Sequence, residues 1–141
     1  MAGVKRRSSR KENGTATVEC LICLPIILSI TFATIDLCSA MFLQETLTIA
    51  AYEGARVGVQ KSGTNAIATT KVQEVLDARG ITYGSNVASF SNPGFDTAGT
   101  LDHVTVTVTV PCSGNMVLVG NLFTGRNLSA SVTMRKEFAN L

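Results

Sequence analysis

The sequence has few of the side chains that enzymes use for catalysis. Its 141 residues include a single histidine, no tryptophan and only 16% charged residues. No pair of acidic groups, no glycine-rich phosphate loop and no nucleophile beside a base can be read in it. His103, the one histidine, opens a predicted strand and is expected to be an ordinary exposed residue. We therefore expect no enzymatic activity, no cofactor, no metal site and no small-molecule substrate.

Charge is scarce and unevenly distributed. The formal net charge is +2, but five of the twelve basic residues lie in the first 14 positions, together with one acidic residue, Glu12. These five are Lys5, Arg6, Arg7, Arg10 and Lys11. Without residues 1–14 the chain has seven basic and nine acidic side chains, so its composition does not indicate nucleic-acid binding. Low charge and a positive mean hydropathy are typical of a membrane-attached protein.

A long apolar run, residues 19–43, follows the basic leader. Residues 20–35 contain no charged side chain, and after Asp36 the apolar run resumes. About 20 apolar residues in a helix cross the roughly 30 Å hydrocarbon layer of a membrane. Because Lys and Arg that flank a first apolar segment stay in the cytoplasm, we expect a single membrane pass with a cytoplasmic N-terminus.

Glu19 stands at the start of this apolar run and needs a counter-ion. A carboxylate at the edge of a membrane helix is costly without a partner. If a peptidase cuts after Gly14, Thr15 gains a free ammonium group, and Glu19 becomes the fifth residue of the mature chain. Two alternatives are open: the leader is an uncut signal anchor, or a signal peptidase cuts after residues 38–40.

The basic leader, Gly14, Glu19 and the apolar helix together resemble a type IV prepilin. Within that group the sequence is most similar to the TadE-like pseudopilins of the bacterial tight-adherence (Tad, Flp) pilus systems. Three blocks carry this resemblance: GTATVECLICLPIIL at 14–28, TIDLCSAMFLQETLTIAAYEGARVGV at 34–59, and NLSASVTMRKE at 127–137. The first includes Pro25, and the second includes the most specific motif, Glu53, Gly54, Ala55 and Arg56. Residues 62–102 carry little family signal.

The resemblance implies a minor pseudopilin that acts in pilus assembly and surface attachment. It implies that a prepilin peptidase cuts between Gly14 and Thr15, that the five basic leader residues orient insertion, and that Glu19 sets the register against a neighbouring subunit. The implied partners are that peptidase, related pseudopilins, the pilus assembly machinery and membrane lipid, and the implied location is the bacterial inner membrane. The alternative is a single-pass membrane-anchored adhesin or cell-envelope binding domain that is neither processed nor assembled into a filament.

The helical pattern continues beyond the apolar run. Apolar and small residues recur at spacings of three and four, which predicts one helix over about residues 16–60. Pro25 is expected to bend or loosen this helix. Ala50, Gly54 and Gly58 form a face of small residues, which either receives the protein's own sheet or packs against a neighbouring pilin helix.

Asp36 and the cysteines leave further alternatives open. Asp36 is either solvated at the membrane interface or bound by a partner in another subunit. Cys20 and Cys23 have the spacing of a redox or metal motif, but buried packing in the helix is the interpretation we favour for them and for Cys38. Cys112, the one cysteine expected outside the membrane, is either free or buried, or it links two chains.

The predicted fold class is α+β. Residues 1–14 are the basic leader, residues 15–61 are the transmembrane and protruding helix, and residues 62–141 are an extracytoplasmic head. The head has too small a core to stand well alone. We therefore expect it to dock on the protruding part of the helix.

Inside the head, the patterns predict a short second helix and a small antiparallel sheet of two to four strands. The helix is expected over residues 65–79, and strands are expected at 87–90, 103–110 and 128–134. A loop over residues 111–127 joins the last two strands, and it holds an apolar part, residues 116–123. It either packs on the head or binds a partner.

Overall fold

The first element, α1, is one continuous helix, Asn13–Gly58, of 46 residues. At 1.5 Å per residue it is about 69 Å long. The computed structural model describes residues 13–117, 119–120 and 122–137. The basic leader residues, Lys5, Arg6, Arg7, Arg10 and Lys11, lie outside this part of the chain. The single long helix expected over residues 16–60 is confirmed, and it continues through Pro25.

The N-terminal half of α1 is apolar and exposed on all sides. Residues 14–32 are all exposed, with Leu21 at 69% and Ile27 at 62% of full accessibility. The helix is long and apolar enough to cross a membrane, which indicates a single-pass membrane anchor. Three of its hydroxyl groups donate to the carbonyl oxygen one turn earlier at 2.8–2.9 Å: Ser29 to Pro25, Thr31 to Ile27 and Thr34 to Ile30. Such internal bonds satisfy polar groups where water is absent.

The head contributes a short helix and three strands. The helix α2, Asn65–Ala78, begins after Thr64, whose side-chain oxygen accepts a hydrogen bond from the backbone N–H of Ile67. It ends just before Gly80, whose φ of +67° favours glycine. The strands β1 (Ala88–Phe90), β2 (His103–Pro111) and β3 (Asn127–Arg135) form an antiparallel sheet in the order β1-β2-β3. The predicted α+β class is confirmed.

The alternation of valine and threonine in β2 separates a buried face from an outer face. Its four valines are at most 1% exposed: Val104, Val106, Val108 and Val110. On the outer face, the hydroxyl groups of Thr105 and Thr107 form hydrogen bonds of 2.8 Å to Thr133 and Ser131 of β3. Of the β3 residues expected to face inward, Ala130 is buried and the others are half-buried, because β3 is an edge strand.

The C-terminal half of α1 belongs to the core of the head. Its buried apolar residues form one stripe, which we call the α1 stripe: Leu43, Leu47, Ala50, Ala51 and Ala55. This stripe packs with the buried face of α2, with the valines of β2 and with Phe95. The head therefore docks on the helix, as the small size of its own core predicts.

The face of small residues on α1 packs inside the chain, and its neighbours differ from the predicted sheet. A Cβ atom on Gly54 would lie 2.5 Å from Cγ2 of Val72 in α2, and one on Gly58 would overlap the ring of Phe95. These two glycines let α2 and the Phe95 loop approach the α1 backbone closely. Both glycines are buried by the chain's own residues. A neighbouring pilin helix therefore cannot pack against this face, as the second alternative required.

Candidate functional site at the junction of helix and head

The candidate processing site lies at the exposed start of α1. Gly14, Thr15 and Glu19 are exposed, and a Cβ atom on Gly14 would have no neighbour within 4 Å. The hydroxyl of Thr17 donates to the Gly14 carbonyl oxygen at 2.9 Å. The carboxylate of Glu19 has no hydrogen-bond or ion-pair partner among the residues that the structure describes. The structure thus leaves the bond between Gly14 and Thr15 sterically open.

Asp36 lies at the other end of the apolar half and is fully buried, at 0% exposure. Its carboxylate accepts three backbone hydrogen bonds from the loop between β2 and β3. Oδ1 accepts from the N–H of Val119 at 2.7 Å and of Gly120 at 3.0 Å, and Oδ2 accepts from the N–H of Leu122 at 3.1 Å. We call this arrangement the Asp36 clasp. The clasp fixes the tip of the loop to α1 with charge-assisted hydrogen bonds, which are stronger than hydrogen bonds between neutral groups.

The loop is shaped to reach Asp36. At its base, the N–H of Cys112 donates to the carbonyl of Arg126 at 2.9 Å, which extends the pairing of β2 with β3. Asn115 then bonds the loop to the segment after α2, because its side chain accepts from the N–H of Thr82 and donates to the Thr82 carbonyl, both at 2.6 Å. At the tip, a Cβ atom on Gly120 would lie 3.1 Å from Oδ2 of Asp36, so a residue without a side chain suits this position.

The clasp differs from both predicted environments of Asp36. The carboxylate is neither solvated nor open to another subunit in this conformation, since the chain's own loop covers it. The sequence could not reveal this partner, because backbone N–H groups 83 to 86 residues away leave no side-chain signature. The available signals were the absence of charge in residues 112–125 and the glycine at position 120.

The loop expected at residues 116–123 is partly packed and partly exposed. Met116 contacts the core of the head. Val117, Val119 and Leu122 are exposed at 61%, 40% and 54%. Residues 118 and 121 lie outside the described part of the chain. Met116 therefore packs on the head as predicted, while the other three side chains face outward. Binding of a partner by this loop stays a prediction.

The motif Glu53, Gly54, Ala55 and Arg56 divides into two buried and two outer residues. Gly54 and Ala55 are buried against the head, whereas Glu53 and Arg56 form a surface pair with Oε2 and Nη1 3.7 Å apart. Exposed pairs at this distance contribute at most about 1 kcal/mol. The packing of the head on α1 therefore depends on the two small residues of the motif, and much less on its charged pair.

The four cysteines form neither a disulfide nor a metal site within the described residues. Cys20, Cys23 and Cys38 are exposed on α1, so the expected burial of these three is not found within the chain. Cys112 is buried, and this burial raises the pKa of its thiol, so the thiol is neutral at pH 7. No cluster of three or more His, Cys, Asp or Glu side chains suited to a metal ion occurs in residues 13–117, 119–120 and 122–137.

Comparison with known families supports the resemblance in the N-terminal part of the chain. The model of the TadE-like protein family matches residues 14–56. This segment contains Gly14, Glu19, Asp36 and most of α1, and it ends at Arg56; the third similar block, residues 127–137, lies beyond it. No curated protein and no solved structure matches the chain. Over residues 14–56, about a third of its length, the chain is therefore similar to the TadE-like protein family.

Proposed function

We propose that this protein is a minor pseudopilin of a Tad pilus system, which acts in pilus assembly and surface attachment after cleavage between Gly14 and Thr15. A prepilin peptidase removes the basic leader, and related pseudopilins and the assembly machinery receive the mature chain. The five basic leader residues keep the N-terminus in the cytoplasm. The head then lies on the outer side of the bacterial inner membrane.

The observation that carries this proposal is the exposed apolar half of α1 with Gly14 and Glu19 at its start. Residues 14–32 are exposed around the whole helix, so this surface needs lipid or other apolar helices. Glu19 is one helical turn into the surface. Cleavage after Gly14 would place a terminal ammonium near a carboxylate that otherwise costs free energy in the membrane. The same pair of charges would fix the register between two subunits.

The processing step is tested by mass spectrometry of the protein extracted from membranes. We expect a mature chain that begins at Thr15, and a full-length chain when Gly14→Trp blocks the peptidase. Because no atom lies near the Cβ position of Gly14, this substitution should leave the head folded. Gly84→Trp is a matched control, since Gly84 is equally open, and it should be processed normally. An intact leader in the unchanged protein from piliated cells would contradict the proposal.

The assembly step is tested separately with Glu19→Ala. We expect normal cleavage but loss of the protein from purified pili, because the mature N-terminus no longer has its partner. Glu45→Ala removes an exposed carboxylate farther along the same helix and should leave incorporation unchanged. If Glu19→Ala enters pili as well as the control does, Glu19 does not set the register. A protein that is uncut and absent from pili would instead be the membrane-anchored adhesin.

A further inference from the structure

The β2–β3 loop lies at a defined level along α1. The clasp holds it at Asp36, which is 22 residues after Gly14, or about 33 Å along the helix. The hydrocarbon layer of a membrane is about 30 Å thick. If the apolar half of α1 crosses a membrane from Gly14, the clasp therefore lies at the outer boundary of the hydrocarbon. The loop must then lie on the membrane surface.

The exposed side chains of the loop suit that position. Residues 112–125 carry no charge, and the outward residues Val117, Val119 and Leu122 are apolar. This contrasts with the valines of β2, which the head buries completely. Apolar side chains are typically left exposed in contiguous patches only where a partner or a membrane covers them.

The neighbouring turn of α1 continues the same apolar surface. Met41 and Phe42 are 65% and 72% exposed, although they lie beyond Asp36 and therefore outside the 33 Å span. Phe42 and Val117 line one shallow cleft between helix and loop. Loop and helix thus form a single apolar collar, which we define as Met41, Phe42, Val117, Val119 and Leu122. By this spacing the collar extends from the hydrocarbon boundary, at the level of Asp36, into the headgroup region, at the level of Phe42.

The clasp also provides hydrogen-bond partners for backbone N–H groups of the loop, which is not helical and lies near lipid. Unpaired N–H groups are costly at membrane depth, and non-helical segments occur there only when their polar groups are satisfied. The carboxylate of Asp36 accepts three loop N–H groups, and Asn115 joins the loop to Thr82. This gives a physical reason for a buried carboxylate at this depth.

We propose that the apolar collar is a lipid-binding surface, which inserts into the boundary between headgroups and acyl chains and holds the head at a fixed height on the bilayer. The Asp36 clasp is the positioning element of this surface. The proposal rests on the membrane anchoring by α1 in the proposed function, and it requires neither cleavage at Gly14 nor assembly into pili. Its occupant is the bilayer, and a second copy of the chain is the competing occupant that the experiment distinguishes.

The chain contains no tryptophan, so a single introduced tryptophan reports its own depth. The full-length protein is reconstituted in vesicles of phosphatidylcholine and phosphatidylglycerol, with Val119→Trp and Leu122→Trp as two independent reporters. Lys61→Trp is the control, because Lys61 is exposed just after the far end of α1. Fluorescence is quenched from the lipid by phospholipids brominated near the carbonyl end of the acyl chain, and from water by acrylamide.

We expect both loop reporters to emit at shorter wavelength than the Lys61→Trp control and to be quenched by brominated lipid but poorly by acrylamide. The control should show the opposite pattern. Acrylamide quenching of both loop reporters equal to that of the control would overturn the proposal. Shielding from both quenchers that disappears on dilution of protein in lipid would assign the collar to a second copy. Failure of the chain to float with the vesicles would overturn the membrane anchor, whereas failed processing in cells would affect only the proposed function.

Discussion

At the scale of single residues, Asp36 is the side chain whose loss should have the largest effect on the loop. Asp36→Asn keeps the size of the side chain but replaces one accepting oxygen by an N–H donor, which then faces a backbone N–H. Hydrogen bonds to charged groups contribute about 1.5–3 kcal/mol each, and unsatisfied buried donors add to the cost. We expect a loss of about 2–4 kcal/mol in the free energy of unfolding, measured by denaturation in detergent micelles. Amide exchange at Val119, Gly120 and Leu122 should accelerate most.

The matched control for this residue is Glu45→Gln, which removes one negative charge from an exposed position on the same helix. It should change the stability by less than about 0.5 kcal/mol, as surface substitutions usually do. Equal stability of the two variants, or unchanged exchange at the three loop amides, would show that the clasp contributes little to holding the loop.

At the scale of elements, the crossing of α1 and α2 depends on Gly54. Alanine is the better helix former by about 1 kcal/mol, but its Cβ would lie 2.5 Å from Cγ2 of Val72 and 3.2 Å from the carbonyl oxygen of Ala68. Overpacking of this kind costs about 1–3 kcal/mol, and the β-branched Val72 cannot turn away freely. We expect Gly54→Ala to lower the melting temperature, and Gly84→Ala, at an open position, to leave it unchanged or raise it.

A double variant identifies the cause of that loss. Val72→Ala alone should be destabilising because it leaves a cavity against α1. Combined with Gly54→Ala, it should cost less than the sum of the two single changes, because the new methyl group occupies the vacated space. Strict additivity in thermal unfolding would mean that the two residues do not contact each other as the structure places them.

The sequence predicted elements better than their relative placement. The repeat of valine every second residue identified β2 and its buried face, and the spacing of small residues identified α1 as far as Gly58, because local patterns encode both. The prediction that Gly54 and Gly58 face the sheet was wrong in detail, because α2 and the Phe95 loop lie there. Small residues indicate that another element approaches closely, but not which element it is. The clasp at Asp36 was missed because it depends on how far along α1 the sheet docks, and no local pattern records that offset.

At the scale of the whole molecule, residues on both sides of the predicted boundary at residue 62 share one hydrophobic core. The α1 stripe, from Leu43 to Ala55, lies in the same core as the valines of β2, whereas residues 14–32 are exposed. The apolar half of the helix should therefore be dispensable for folding, and the stripe should not. Small domains bury too little surface to lose one side of their core.

This leads to a prediction about two fragments. Residues 30–141, which keep Asp36 and the stripe, should give a cooperative thermal transition by circular dichroism and dispersed amide resonances. Residues 62–141 should give neither, because the buried faces of α2 and β2 would be exposed to water. Leu47→Asp in the longer fragment should abolish its transition, since it places a charge in the core at a fully buried position. Cooperative unfolding of the shorter fragment would show instead that α2 and the sheet form a core without the helix.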